Sequence, residues 1–184
     1  MPDVSKVTTG KPKVTGAVFT APAGTALPTD ATTALANTYK EMGYAADSGL
    51  TNNHSGNVNK IRAWGGDVVM IIKDEVEDKF SLTLIEVTRE DVLKIVRGSG
   101  NVSGALATGL TVTYNDDDPE TNVWVFEIIY SNDVIKRIVI PRGIVSEVGE
   151  VSYTDSDAVG YAITIDALVD SSGNTHYEYI AEAQ

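Results

Sequence analysis

The chain has 184 residues, enough for one domain with a buried core, and 42% of them are hydrophobic, as in most globular proteins. Its 26 acidic residues outnumber 14 basic ones, and the net charge of −12 repels phosphate, which argues against a nucleic-acid-binding protein. The chain has no cysteine and two histidines, so thiolate chemistry is excluded, and a histidine-based triad or metal site has little to draw on.

Residues 1–36 differ in composition from the rest of the chain. They hold eight threonines and four of the six prolines, and such a stretch cannot close a core by itself. Two interpretations stay open: a disordered tail, or an extended arm that becomes ordered on a neighbouring subunit. Within this stretch, residues 14–20 predict a short strand.

Residues 37–184 predict a single β-rich domain. A weak first strand is predicted from residues 39–46 and 50–51. The segment 47–59 is polar and rich in Gly and Asn, which predicts a long loop at about 47–60. Long loops in compact domains usually have a function or are disordered.

Two strands are predicted next, at 68–72 and 80–87, joined as a hairpin by a short connection near Asp78. The second strand alternates between an apolar face and a polar face, as a half-buried strand does. The apolar face has Phe80, Leu82 and Leu84, and the polar face has Lys79, Ser81 and Thr83.

One short amphipathic helix is predicted at 88–97. Thr88 is the predicted N-cap, because an acidic residue, Asp91, follows three positions later. Apolar residues then recur at helical spacing, and Gly98 suits the position just after the helix.

Six strands are predicted after the helix, separated by turn-forming residues. Their ranges are 109–114, 123–130, 134–141, 144–151, 161–168 and 175–180. So many strands with one helix indicate a mainly β fold, a β-sandwich or partly closed barrel with one short flanking α-helix.

The acidic cluster at 116–118, followed by Glu120, is the strongest candidate for a cation site. It lacks the alternating spacing of a calcium loop, which favours a solvated turn. We therefore predict no catalytic residue, no cofactor and no metal site, and expect that the protein is not an enzyme.

Four segments in chain order resemble a known family. They are AWGGD at 63–67 before a hairpin strand, the strand 80–84 running into a helix, KRIVIP at 136–141 and GNTHYEY at 173–179. Together with TGAVF at 15–19, they are similar to the major tail tube proteins of long, non-contractile, siphovirus-type bacteriophages.

The resemblance implies a β-sandwich-like subunit, six copies of which form a ring. The rings would stack into a tube that DNA crosses during ejection, and inner sheets of neighbouring subunits would join into one barrel around the lumen. The implied partners are other copies of the chain, a tape-measure protein and other tail proteins, and DNA would pass without specific binding. No membrane partner is expected, because no apolar run approaches the roughly 20 residues that span a bilayer. The implied location is the tail of the virion, after synthesis in the host bacterial cytoplasm.

Two sets of residues are candidates for this assembly. The N-terminal arm and the 47–60 loop are expected to fasten adjacent rings, with candidate contacts at Val14, Phe19, Asn52, Asn53, His54 and Asn57. The polar hairpin positions are expected to face the lumen, namely Lys73, Glu75, Lys79, Ser81 and Thr83. Alternation defines two faces of a strand without saying which one is inside.

Two other functions stay open at this point. One is a soluble β-sandwich module that binds carbohydrate, and the other is a capsid-decorating phage protein. Aromatic residues make up only 7% of the chain, which leaves few rings for stacking on sugars.

Overall fold

The structure is a computed structural model that describes residues 1–13 and 16–183, and the side chains of these except Asp74 and Glu75. It is mainly β, with 47% of residues in strands and 8% in helices. The predicted fold class is confirmed, with one α-helix among the described residues, and the sheets do not close into a barrel.

Eleven strands and one α-helix make up the described chain. The strands before the helix are β1 (Gly10–Pro12), β2 (Val18–Pro22), β3 (Lys40–Glu41), β4 (Thr51–Arg62) and β5 (Val68–Leu84). The helix is α1 (Glu90–Arg97), and two short 3-10 helices span Val4–Lys6 and Ser99–Asn101. The later strands are β6 (Val102–Ala105), β7 (Gly109–Val112), β8 (Thr121–Tyr130), β9 (Val134–Val148), β10 (Tyr161–Ala167) and β11 (Tyr177–Glu182).

Nine of the strands form one antiparallel sheet in the order β3-β2-β8-β9-β10-β5-β4, with β1 also on β8 and β11 also on β9. Strand β9 organises this sheet because it is 15 residues long. Along one edge it pairs with β11 and then β10, and along the other with β8. Strands β6 and β7 form a separate two-stranded sheet.

The main core lies inside the curl of the large sheet. It combines Phe80 and Leu84 of β5, Trp124 and Phe126 of β8, and side chains of β9, β10 and α1. Because strands from both halves of the sheet share one core, the sheet folds over on itself in the manner of a sandwich.

A smaller core covers the opposite face of β8 and β9. Val123, Val125 and Val139 are buried there, and Tyr39 packs on them. Residues Leu27 and Leu35 of the N-terminal segment complete this layer. The N-terminal segment therefore shields a sheet face of its own chain.

The observed hairpin is formed by β4 and β5, not by the two strands predicted at 68–72 and 80–87. The segment predicted as a loop at 47–60 is largely strand β4, which pairs with β5 from Thr51 opposite Ser81 to Arg62 opposite Val68. Backbone hydrogen bonds to the neighbouring strand do not depend on side-chain polarity, so an Asn-rich sequence can be a strand wherever its side chains are exposed.

The break predicted near Asp78 is wrong, because β5 runs without interruption from Val68 to Leu84. Asp78 is only 3% exposed, and its carboxylate is hydrogen-bonded to side chains of other segments. A buried polar residue that has partners can therefore stay inside a strand.

Strands predicted at 134–141 and 144–151 are one strand, β9. Pro141 did not end it because the pairing with β8 shifts register there, with Trp124 opposite Ile140 and Asn122 opposite Gly143. Proline lacks a backbone N–H, and an irregular position in the ladder tolerates that loss.

The helix is confirmed at its end and differs at its start. It ends before Gly98, whose φ of 90° is in the region that favours glycine. It begins at Glu90, with Arg89 as the N-cap and no side-chain cap, so the predicted cap at Thr88 is wrong. Acidic residues in its first turn and basic residues in its last turn complement the helix dipole.

The N-terminal segment packs on its own chain in the structure. Strand β2 pairs with β8 from Val18 opposite Phe126 to Pro22 opposite Asn122, and Ala31 is buried. The predicted strand at 14–20 lies partly outside the described residues. Its described part overlaps with β2, and β1 precedes it.

Candidate functional site

The long hairpin of β4 and β5 is the first candidate surface. Its turn, residues 63–67, closes through a backbone hydrogen bond of 2.8 Å from Ala63 to Asp67. Gly65 and Gly66 have φ values of 132° and 100°, which only glycine adopts without strain. Trp64 stands at the tip of the hairpin and is fully exposed.

The outer part of this hairpin exposes apolar side chains on both of its faces. The run from Val68 to Ile72 is entirely apolar, and successive strand residues point to opposite faces. The exposed apolar side chains are Val58, Ile61, Trp64, Val68, Val69, Met70, Ile71, Ile72 and Val76. A contiguous exposed apolar surface of this kind marks an interaction site.

The charge of the outer hairpin is opposite in sign to that of the whole chain. From Val58 to its ladder partner Lys73, three residues are basic and only Asp67 is acidic. The chain as a whole has a net charge of −12. The hairpin is therefore complementary in charge to the surface of another copy.

The hairpin joins the body of the protein at Asp78. The Asp78 carboxylate accepts hydrogen bonds from Asn52 at 2.7 Å, Thr175 at 2.6 Å and Nδ1 of His176 at 2.5 Å. His54 lies on its other side, with its Nδ1 3.6 Å from Oδ1. Burial raises the pKa of the Asp78 carboxyl, but the hydrogen bonds from Thr175, Asn52 and His176 outweigh burial, and the net pKa is below the ordinary value.

A polar sheet face is the second candidate surface. Ser81 and Thr164 face each other on paired strands, with 3.3 Å between their hydroxyl oxygens. Lys79 pairs with Glu77 at 3.0 Å, and the hydrogen bond and charge of Glu77, helped by Asp166, raise the pKa of Lys79. This face is lined by small polar and charged groups.

Several strand edges have no strand partner among the described residues, and two of them border the half-sheet β9-β10-β5-β4. One is the outer edge of β4, which ends the large sheet. The other is the edge of β9 over residues 145–148, because the pairing with β8 stops at Thr121 opposite Ile144. Such edges are templates for pairing with another chain.

A buried ion pair fastens the N-terminal segment. Arg137 is 1% exposed and binds Glu127, which also accepts a hydrogen bond of 2.6 Å from Lys13. The guanidinium of Arg137 donates to the backbone oxygens of Asp30 at 2.7 Å and Thr33 at 2.8 Å. The Arg137–Glu127 pair thus holds the N-terminal segment at Lys13, through Glu127, and at residues 30–33, through Arg137.

Comparison with protein families identifies the chain. A family model described as phage tail tube protein matches residues 12–184. The chain belongs to this family. No curated protein sequence matches the chain. Membership makes it a structural tail tube protein of a bacteriophage, which confirms the resemblance seen in the sequence and agrees with a non-enzymatic role in the virion.

In this tail tube protein, the candidate ring-fastening residues do not form one surface. Asn52, Asn53 and His54 lie at the root of the hairpin, and Asn57 lies at a register shift in β4. Phe19 is half-buried on β2, where it packs on the smaller core of its own chain. Val14 lies outside the described residues.

The candidate lumen residues divide into two groups. Lys79, Ser81 and Thr83 lie on the half-buried polar sheet face, opposite the buried apolar side chains of the same strand. Lys73 lies farther out, in the exposed part of the hairpin. The backbone of Glu75 is part of β5, and its side chain is outside the described part.

The described part of the tail tube protein was compared with the two kinds of site that the sequence raised, a metal site and a membrane-spanning helix. No group of three or more histidine or acidic residues is placed there to hold a metal ion. Among the residues of the acidic cluster, Asp117 binds Asn115, and Glu120 accepts a hydrogen bond of 2.8 Å from the backbone of Ser99. No helix of the described chain is long and apolar enough to cross a membrane.

Three features of the tail tube protein were missed in the sequence. The exposure of the run at 68–72 was missed because β-branched runs are usually buried. The partners of Asp78 and Arg137 were missed because they lie far away along the chain, at His176 and at Asp30. Asp78 stands in a charged stretch, residues 73–79, and Arg137 follows another basic residue, Lys136, so neither residue stands out in the sequence.

Proposed function

We propose that the protein is the subunit of a siphovirus-type tail tube, in which rings of six copies stack into the conduit for DNA ejection. The observation that carries this proposal is the outer part of the long hairpin, residues 58–73, which exposes apolar side chains on both faces and has a charge opposite in sign to that of the whole chain. A subunit that stayed alone in water would leave this surface without a partner.

Ring formation is supported by two of the free strand edges, those that border the half-sheet β9-β10-β5-β4. The half-sheet β9-β10-β5-β4 has four antiparallel strands, so its edges, β4 and residues 145–148 of β9, run in opposite directions. The β4 edge of one subunit can therefore pair antiparallel with the β9 edge of the next. This head-to-tail contact repeats around a ring and closes when the rotation is complete.

The lumen on this proposal is lined by the polar face with Lys79, Ser81 and Thr83. The opposite face of the same strands is buried in the subunit's core, so this polar face is the one left to meet water. An acidic subunit repels DNA phosphate, and at physiological salt this repulsion acts over about 8 Å from the wall. DNA would pass through without adhering.

Stacking of rings is assigned to the hairpin, including Asn52, Asn53, His54 and Asn57 on β4. The N-terminal segment is a weaker candidate, because Phe19 and the residues held by Arg137 already have partners in their own chain. A tape-measure protein and other tail proteins complete the set of partners. The protein would be made in the cytoplasm of the host bacterium and would reside in the virion tail.

The hairpin can be tested by placing charges on it. We expect Val69→Asp combined with Ile71→Asp to abolish tubes in electron micrographs of the purified protein, because carboxylates would be buried at the contact between subunits. These side chains are 62% and 59% exposed, so the unfolding midpoint of the subunit should hardly change.

The matched control is Val169→Asp, an apolar side chain of similar exposure, 55%, outside the hairpin. This variant should form tubes like the unmodified protein. Normal tubes from the double variant would remove the hairpin from the stacking contact. Dispersed unmodified subunits that bind glycans would favour a carbohydrate-binding module instead.

A further inference from the structure

The root of the hairpin is where support from the body stops. Strand β4 is exposed along its whole length, and Glu77 of β5 is exposed while the next residue, Asp78, is buried. Beyond this point, β10 no longer pairs with β5, and among the described residues the outer part of β5 pairs with β4 alone. The direction in which the hairpin leaves the sheet therefore depends on the contacts made around Asp78.

Four side chains from two separate segments meet the Asp78 carboxylate. Asn52 and His54 come from β4, and Thr175 and His176 come from the segment that leads into β11. The carboxylate thus joins both strands of the hairpin to the C-terminal part of the chain. Each of these groups can donate a hydrogen bond, and a carboxylate only accepts.

Both histidines of the chain take part in this cluster. His176 packs edge-on against the ring of Phe80 with 5.2 Å between ring centres, and 18% of its side chain is exposed. His54 is more open, with 55% of its side chain exposed. Each histidine forms an ion pair with Asp78 only when its ring is protonated.

Other charged groups near the cluster are already paired. Glu178 of β11 lies 4.0 Å from Nε2 of His176 and binds Lys136 of β9 at 2.5 Å. On the far face of β5, Lys79 binds Glu77, with Asp166 of β10 nearby. Asp78 is therefore the carboxylate of the cluster that lies within reach of both histidines.

We propose that Asp78 and the two histidines form a pH-sensitive anchor that holds the hairpin in its direction. Acid that charges His54 and His176 tightens the anchor, and stronger acid that neutralises Asp78 releases it. Its importance for stacking rests on the proposed tube function, whereas the anchor itself belongs to the isolated subunit.

The sign of the effect follows from the order of protonation. Histidine is the residue type whose charge changes between about pH 8 and about pH 5. The lowered pKa of Asp78 keeps the carboxylate charged through that range and until the pH falls below the ordinary value of 3.8. Mild acid therefore adds positive charge beside a fixed negative charge.

Amide hydrogen exchange of the unassembled subunit tests the anchor directly. After correction for intrinsic rates, residues 52–56 and 76–80 should exchange roughly two- to fivefold more slowly at about pH 6 than at about pH 8, the effect of a partly exposed ion pair. His54→Gln should reduce this difference, because one of the two histidines is lost. Asn59→Gln, on the same strand but away from Asp78, should keep it.

Equal protection at both pH values in the unmodified protein would overturn the proposal, as would an unchanged difference in His54→Gln. Asp78→Asn should also remove the pH effect. If that variant does not fold, the comparison of His54→Gln with the unmodified protein still tests the anchor. Electron micrographs at both pH values separate the anchor from its proposed role in stacking. If exchange responds to pH and tube formation does not, the role in stacking is contradicted and the anchor is still supported.

Discussion

Arg137 and Glu127 show how a single buried pair can order a long segment. Both side chains are almost inaccessible to water, and their remaining hydrogen bonds go to Lys13 and to the backbone at Asp30 and Thr33. Removal of a charge from water has a large free-energy cost unless the charge is paired. The N-terminal segment supplies the groups that satisfy this pair, so its position depends on the pair.

Glu127→Ala should lower the free energy of unfolding by about 3–5 kcal/mol, because the charge of Arg137 would stay buried without its partner. Denaturant unfolding measures this change. Glu90→Ala, which removes an exposed ion pair with Lys94, should lower it far less, because water screens that pair. Similar effects of both substitutions would contradict the role given to Arg137.

At the scale of elements, the β4–β5 hairpin combines a well-defined turn with little tertiary support. Its strands pair along most of their length, but the outer side chains are exposed. The conformation of the outer hairpin thus depends on its turn and its ladder. Local changes there should alter the hairpin without altering the body.

Gly66→Ala should loosen the outer hairpin, because Gly66 has a φ of 100°, which an alanine adopts only with strain of about 1 kcal/mol. Amide exchange at 58–72 should become faster, while exchange in β8 and β9 stays the same. Gly100→Ala is the control, since a Cβ there meets nothing within 4 Å and φ is outside the strained region. Unchanged exchange at 58–72 would contradict the prediction.

At the scale of the whole molecule, a net charge of −12 coexists with several carboxyl groups whose pKa is lowered. Hydrogen bonds from the backbone and side chain of Thr33 lower the pKa of Asp30 to about 2, and Tyr177 and the backbone of Asn174 lower that of Asp170. At Asp30 and Asp170, nearby hydrogen-bond donors therefore lower the carboxyl pKa even though the chain as a whole is acidic.

Acid should destabilise the subunit. A carboxyl group with a lowered folded-state pKa contributes stability above its unfolded pKa, and this contribution is lost as the pH falls through the folded pKa. The urea midpoint should fall between about pH 4 and about pH 2. Asp30→Asn should show a smaller fall, whereas a midpoint that rises with acid in this range would contradict the expectation.

Much of the fold was predictable, because local patterns determine it. The mainly β class, the alternation around Phe80 and the helix end at Gly98 follow from side-chain period and from glycine conformation. The family also follows from sequence, since its match covers residues 12–184. The N-cap and strand breaks were less predictable, because their alternatives differ little in energy.

The sequence by itself determined the class of the fold, its helix and its membership of the tail tube family. Only the tertiary structure decided that the polar segment from Thr51 is a strand, that the apolar run at 68–72 is exposed, and that Asp78 lies between the two histidines. The physical reason is the same in each case. Strand pairing, exposure and the partners of a buried charge depend on residues that are distant in sequence and adjacent only after folding.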